Sequence, residues 1–212
     1  QYTVYPDVNE IPSYTGVLRP VNFEVIKHDL ERRGLLGDIG KFVHGSGMLA
    51  LQLYRDEIEA ALRTPNLGGF QLLDLHDFPG QSTATVGILN AFWESKGLIE
   101  PDQFRQFCSP TVLLLRMSKR IYTTSDTFRA TVDVAHFGSA ELPKSQIKWS
   151  ITDDDLGRVL DQGILHTDII LLGSGLSIGE FVTESIQHLK QSTKLNVSLE
   201  LSGSDIRNEW PI

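Results

Sequence analysis

At 212 residues, with 41% hydrophobic and 22% charged residues, the chain is long enough for one large core or two modest ones and too apolar to be disordered. Its formal net charge of -8, with Lys and Arg scattered along the sequence, argues against a nucleic-acid partner, which clustered basic residues would announce. No apolar run approaches the ~20 residues that cross a bilayer, so no membrane span is expected, and the first residues lack the basic and hydrophobic pattern of a signal segment.

In chain order, residues 1–20 read as loop. Asn22 can cap a helix carrying Phe23, Ile26 and Leu30 at helical spacing, and Gly34 closes it. Met48, Leu49, Leu51, Tyr54, Ile58 and Leu62 mark a longer amphipathic helix that ends before Pro65. Residues 70–75 are apolar on both faces, the pattern of a strand covered on each side, and end in Asp74, His76 and Asp77 before Phe78, Pro79 and Gly80 turn the chain. Ser82 or Thr83 can cap a further helix with Val86, Leu89, Phe92 and Trp93 on its packed side, and a short helical piece covers residues 101–107. This order of helix, strand and helix is the grammar of a β/α barrel.

Beyond Ser109 the texture changes. Residues 112–117, 127–135, 146–152, 159–164, 180–186 and 195–201 are short runs with partial period-two alternation, separated by turn signals, and predict an immunoglobulin-like β-sandwich. The domains expected are therefore an incomplete barrel over 1–109 and a sandwich over 110–212. Cys108 is the only cysteine, which leaves no disulfide within the chain and no thiol cluster for zinc. The histidines show no ligand spacing, so neither a metal nor another cofactor is expected.

Residues 69–78, with Gly69, Asp77 and Phe78 in register, resemble the eighth barrel strand of glycoside hydrolase family 2, the β-galactosidase and β-glucuronidase group. The family's usual tryptophan is Leu73 here. Gln1 and Tyr2 look like the residues that follow the family's nucleophile motif, and Asn208, Glu209 and Trp210 look like the motif near the close of its final sandwich domain. The resemblance implies the C-terminal part of a retaining β-glycosidase that acts on a carbohydrate through the complete barrel, in an exported or periplasmic bacterial setting. Retaining hydrolysis needs two carboxyl groups ~5 Å apart, and the resemblance places both upstream of this chain.

Asp74 and Asp77 do not supply such a pair, because their spacing puts them on opposite faces of a strand. The catalytic set in this chain is thus empty, and the candidates for contact with substrate are Tyr2, His76, Asp77 and Gln81. Alone, the chain is expected to be silent and to self-associate through residues 70–75 and 48–62, since an unpaired strand invites pairing. The alternative reading is a non-catalytic β-sandwich module that binds carbohydrate or protein.

Overall fold

A computed structural model describes residues 2–81 and 84–212. The chain divides into two compact units, Gln1–Glu57 with Phe70–Glu100 and Ile58–Gly69 with Pro101–Ile212. Among the described residues no helix is long and apolar enough to cross a membrane.

The first unit is helical and irregular. A 3-10 turn, Val8–Ser13, opens with the Asp7 carboxylate accepting the Asn9 N–H, and leads to α1, Val21–Arg33. Gly34 ends α1 in the left-handed conformation (φ 71°), donating its N–H to the Glu31 and Leu30 carbonyls. Phe23 and Leu30, one face of α1, pack with Val8 and Ile39, the first residue of α2 (Ile39–Leu62). Within α2 the buried positions Gly47, Ala50, Leu51, Tyr54, Ile58 and Leu62 recur at three- and four-residue spacing, whereas Met48 and Leu49 are exposed.

The second unit is rich in antiparallel strands. After α3, Pro101–Arg105, come β1 (Thr111–Met117), β2 (Phe128–His136), β3 (Gln146–Asp153), β4 (Arg158–His166), β5 (Gly173–Thr183), β6 (Leu195–Leu201) and β7 (Arg207–Pro211). They form a three-stranded sheet in the order β1-β2-β5 and a four-stranded sheet in the order β4-β3-β6-β7. In constant-type immunoglobulin domains the fourth strand lies beside the fifth; here β4 lies beside β3.

Alternation explains the four-stranded sheet. Ile147, Trp149 and Ile151 of β3 and Leu195, Val197, Leu199 and Leu201 of β6 point inward, with Lys148, Ser150, Asn196 and Ser198 on the other face. They meet Leu113, Leu115, Phe128, Val132 and Phe181 of the other sheet in one core, where Trp149 stacks on Phe181 at 4.2 Å. Each fully buried Leu, Ile or Val there contributes about 1.5–3 kcal/mol.

The sheet edges are blunted against pairing with other chains. β4 carries a register shift opposite Ile151 and an inner-face carboxylate, Asp161, hydrogen-bonded by the Thr183 hydroxyl. β5 is irregular at two points, and β7 is short and ends in Pro211.

The barrel expectation is corrected. A helical part followed by a β-rich region replaces the fragment of a TIM-type barrel followed by a sandwich, because residues 70–75 form no strand. Phe70, Leu73 and Leu75 are 43%, 61% and 36% exposed, and the described residues of 76–89 make isolated bridges, such as His76 with Leu89, and no ladder. A parallel strand buried on both faces needs two neighbours. Every strand of the described sheets lies from Thr111 onward and pairs antiparallel.

Nor is there a helix over 86–93. Thr85, Val86, Ile88 and Asn90 are buried along an irregular path that bends at Gly87 and Ile88, while Phe92 and Trp93, expected on a packed face, are exposed. Gly87 lies against the His76 backbone, where a Cβ would come within 2.3 Å of the carbonyl carbon. Asn90 then bends the chain through its own side chain, a local competitor of helix.

Candidate functional site

Of the four sequence candidates, His76 and Asp77 mark the more developed site, in the first unit. Asp77 is 2% exposed; its carboxylate accepts the Gly87 N–H at 3.0 Å and the Lys96 ammonium at 2.7 Å. Lys96 also donates to the Gly87 carbonyl at 2.9 Å, so one ion pair closes the loop between residues 77 and 96. Burial holds the Asp77 carboxyl above the usual carboxylate range, against the opposing pull of Lys96. Asp77 is thus a buried carboxylate that holds this loop together.

His76, half-buried, packs its ring against Trp93 at 4.2 Å. Trp93 is 64% exposed and has φ 66°, a left-handed conformation that is a genuine outlier for a bulky residue. The 90–94 turn that imposes it is built on Asn90. The Asn90 side-chain oxygen accepts the N–H groups of Phe92 and Glu94, both at 2.9 Å, and its amide donates to Glu10 at 3.2 Å and Glu94 at 3.0 Å. The Asn90 N–H donates to the Glu94 carbonyl, and the Trp93 N–H to the Asn90 carbonyl.

Beside the turn lies a cleft of about 330 Å³ lined by Tyr14, Val17, Leu18, Pro79, Ala91 and Phe92, among others. Val17 is 97% and Leu18 57% exposed. Tyr14 packs edge-on against Phe92 at 4.9 Å, and its buried hydroxyl makes no hydrogen bond among the described residues. Burial pushes the Tyr14 phenol up to about 12, and burial also raises Glu10. The site is therefore apolar and aromatic with an acidic margin.

Of the other two candidates, Tyr2 lies elsewhere in the first unit. Tyr2 engages α2: its hydroxyl donates to Glu57 at 2.9 Å, which raises the phenol pKa, and its ring meets Tyr54 edge-on at 6.5 Å. Gln81 closes a 3-10 turn, Pro79–Gln81, and its side chain lies outside the described residues, as do Ser82 and Thr83. The residues that sequence reasoning missed are Asn90, Trp93, Lys96 and the 14–18 segment. An Asn two residues before an aromatic pair is a turn signal, but it does not reveal that the pair is exposed.

Nothing in the second unit assembles a nucleophile. Ser202, His166 and Asp168 line one polar groove, but the Ser202 hydroxyl has no hydrogen-bond partner among the described residues and Asp168 pairs with Lys144 at 2.8 Å. An activated serine requires a base bonded to its hydroxyl. The Cys108 thiol is half-buried and raised by desolvation, the inert condition. Among the described residues no group of three His, Cys, Asp or Glu side chains is placed to hold a metal ion.

Residues 126–212, less than half of the chain, match a family described as Domain of unknown function (DUF8488). Among solved structures the chain is similar to a conjugative transposon lipoprotein from Bacteroides eggerthii DSM 20697, at 12% identity over 50% of this chain and 96% of that one, with a TM-score of 0.29. It is similar also to a protein described as ApaA from Bordetella pertussis, at 19% identity over 48% of this chain and 85% of that one, with a TM-score of 0.23. Superpositions that loose carry no argument about fold or role. No curated protein matches the chain.

Proposed function

We propose that the chain is a non-catalytic binding module that docks a partner protein through the 90–94 turn and the adjoining apolar cleft. The observation that carries this reading is Trp93, held exposed at a left-handed φ by the hydrogen bonds of Asn90. Strain of this kind persists only where the surroundings over-determine it, and it concentrates at functional positions. Exposed tryptophan beside a concave apolar surface is the composition of a binding hot spot.

Charge selects the partner segment. Glu10 and Glu94 border the turn, while the nearby cations are engaged, Lys96 with Asp77 and Arg19 with Glu24. The segment that fits carries an apolar anchor for the cleft with Lys or Arg beside it, positioned to lie on the face of Trp93. The glycosidase reading rested on residues 70–75 as a barrel strand; without that strand it has no support in the geometry.

The test is selection of a displayed peptide library on the full chain. Enriched peptides are expected to pair an apolar residue with Lys or Arg. Trp93→Ala is expected to weaken them at least about 30-fold, the loss typical of a hot-spot tryptophan. Its melting temperature should hold, since the indole is exposed. Peptides that bind Trp93→Ala equally well overturn the proposal, as does quenching of Trp93 by neutral sugars alone or by a second copy of the chain.

A further inference from the structure

The second unit holds a polar cavity of about 550 Å³ bounded by α3, the start of β1 and the connection from β6 to β7. Gln106 is on its wall. That residue is only 9% exposed, and its carboxamide has no hydrogen-bond partner among the described residues, although its backbone N–H donates to Gln103. Its carboxamide is not among the buried polar atoms that lack a partner, so it opens onto the cavity and offers two donors and an acceptor to whatever fills it.

Five charged groups share the wall with it. Arg105 and Arg207 make no ion pair among the described residues, nor do Asp102 and Asp205, although each arginine has an aspartate two or three residues away in sequence. Glu200, also on the wall, is faced by Lys148 at 3.9 Å. Two unpaired cations face the same space as two unpaired anions. A simple anion would meet the arginines and be repelled by the aspartates, and a simple cation would meet the reverse. A ligand that carries both charges satisfies both sets at once.

We infer that this cavity binds a small zwitterion of the α-amino-acid class, its carboxylate on a guanidinium fork and its ammonium on an aspartate, with the Gln106 carboxamide bonded to either end. Pro110 and Ile206 supply the apolar part of the wall, so the ligand side chain is aliphatic. The site is independent of the docking turn, and neither reading requires the other.

The experiment is an NMR titration of the full chain, following the Gln106 side-chain amide, with L-leucine, 4-methylvalerate, isoamylamine, inorganic phosphate and galactose. Leucine is expected to give a saturable shift, and the two half-ligands, each lacking one charge, to bind at least about tenfold more weakly. Asp205→Asn and Arg207→Gln change exposed side chains. Each is expected to weaken leucine about tenfold with an unchanged melting temperature. The inference is overturned if leucine gives no saturation by about 10 mM, if a half-ligand binds as well, or if phosphate or galactose binds better.

Discussion

The indole N–H of Trp210 donates to both carboxylate oxygens of Glu59, at 3.1 and 2.9 Å, tying the last strand to the last turns of α2. Glu59 is 1% exposed and accepts in addition from Asn208 at 3.2 Å and Arg63 at 3.0 Å. Asn208 also donates to the Leu113 carbonyl and Arg63 to that of Leu115, so one carboxylate gathers β1, β7 and the helix end. Glu59→Ala removes the acceptor that serves all three donors. It is expected to cost about 3–5 kcal/mol, the range for breaking a buried charged pair. Trp210→Phe, which keeps the ring and loses the N–H, is expected to cost about 1–3 kcal/mol. Urea denaturation followed by circular dichroism measures both; a loss within experimental error for Glu59→Ala refutes the account.

Lys96 and Asp77 give a pH-dependent result. Burial raises the folded-state pKa of Asp77 above its unfolded value. The associated stability is therefore complete below the unfolded pKa and is lost as pH rises through the folded one. Lys96→Met leaves the carboxylate buried without its counter-ion, at a cost of about 3–5 kcal/mol near pH 7. That deficit should shrink as pH falls toward about 4, where a protonated Asp77 needs no cation. Urea midpoints of wild type and variant across this range decide it, and a deficit independent of pH contradicts the pairing.

How much of this was legible in the sequence varies from element to element. β6 is readable because Leu195, Val197, Leu199 and Leu201 alternate with Asn196, Ser198 and Glu200. α1 is readable from Phe23, Leu30 and the closing Gly34. β7 is too short to show a period, and the burial of Asn208 and Trp210 has its reason in Glu59, far away in sequence. Residues 70–93 look locally like a strand and then a helix. Their path is set instead by the close approach of Gly87 to His76, by the Asn90 turn, and by an ion pair spanning 19 residues. Asp77 stands out as an acid at a turn, but nothing in the sequence names Lys96 as its partner.

Gly87→Ala tests that close approach directly. The added Cβ would sit 2.3 Å from the His76 carbonyl carbon and 2.4 Å from its Cα, atoms that cannot rotate away. Moving them would also disturb the Gly87 N–H bond to Asp77. A loss of about 1–3 kcal/mol or more is expected. Gly45→Ala, on an exposed interior position of α2 with nothing within 4 Å, should instead gain about 0.5–1 kcal/mol. Thermal melts of the two variants should move in opposite directions, and a neutral Gly87→Ala defeats the argument.

Asp126 carries the acid-side prediction. Its carboxylate accepts from the Lys119 ammonium at 2.7 Å, from the Thr123 N–H at 2.7 Å and from the Thr123 hydroxyl at 3.0 Å. These bonds, that of Lys119 first, pull its pKa down to about 2. A depressed folded pKa contributes stability that is present above the unfolded value and is lost as pH falls through the folded one. Asp126→Asn should therefore be less stable than wild type at neutral pH and approach it as the pH drops from about 4 toward 2. The Lys119 part should weaken in high salt, because the pair is near the surface. A carboxyl carbon titration by NMR with its midpoint at the ordinary aspartate value would show that the 119–126 loop does not hold this carboxylate.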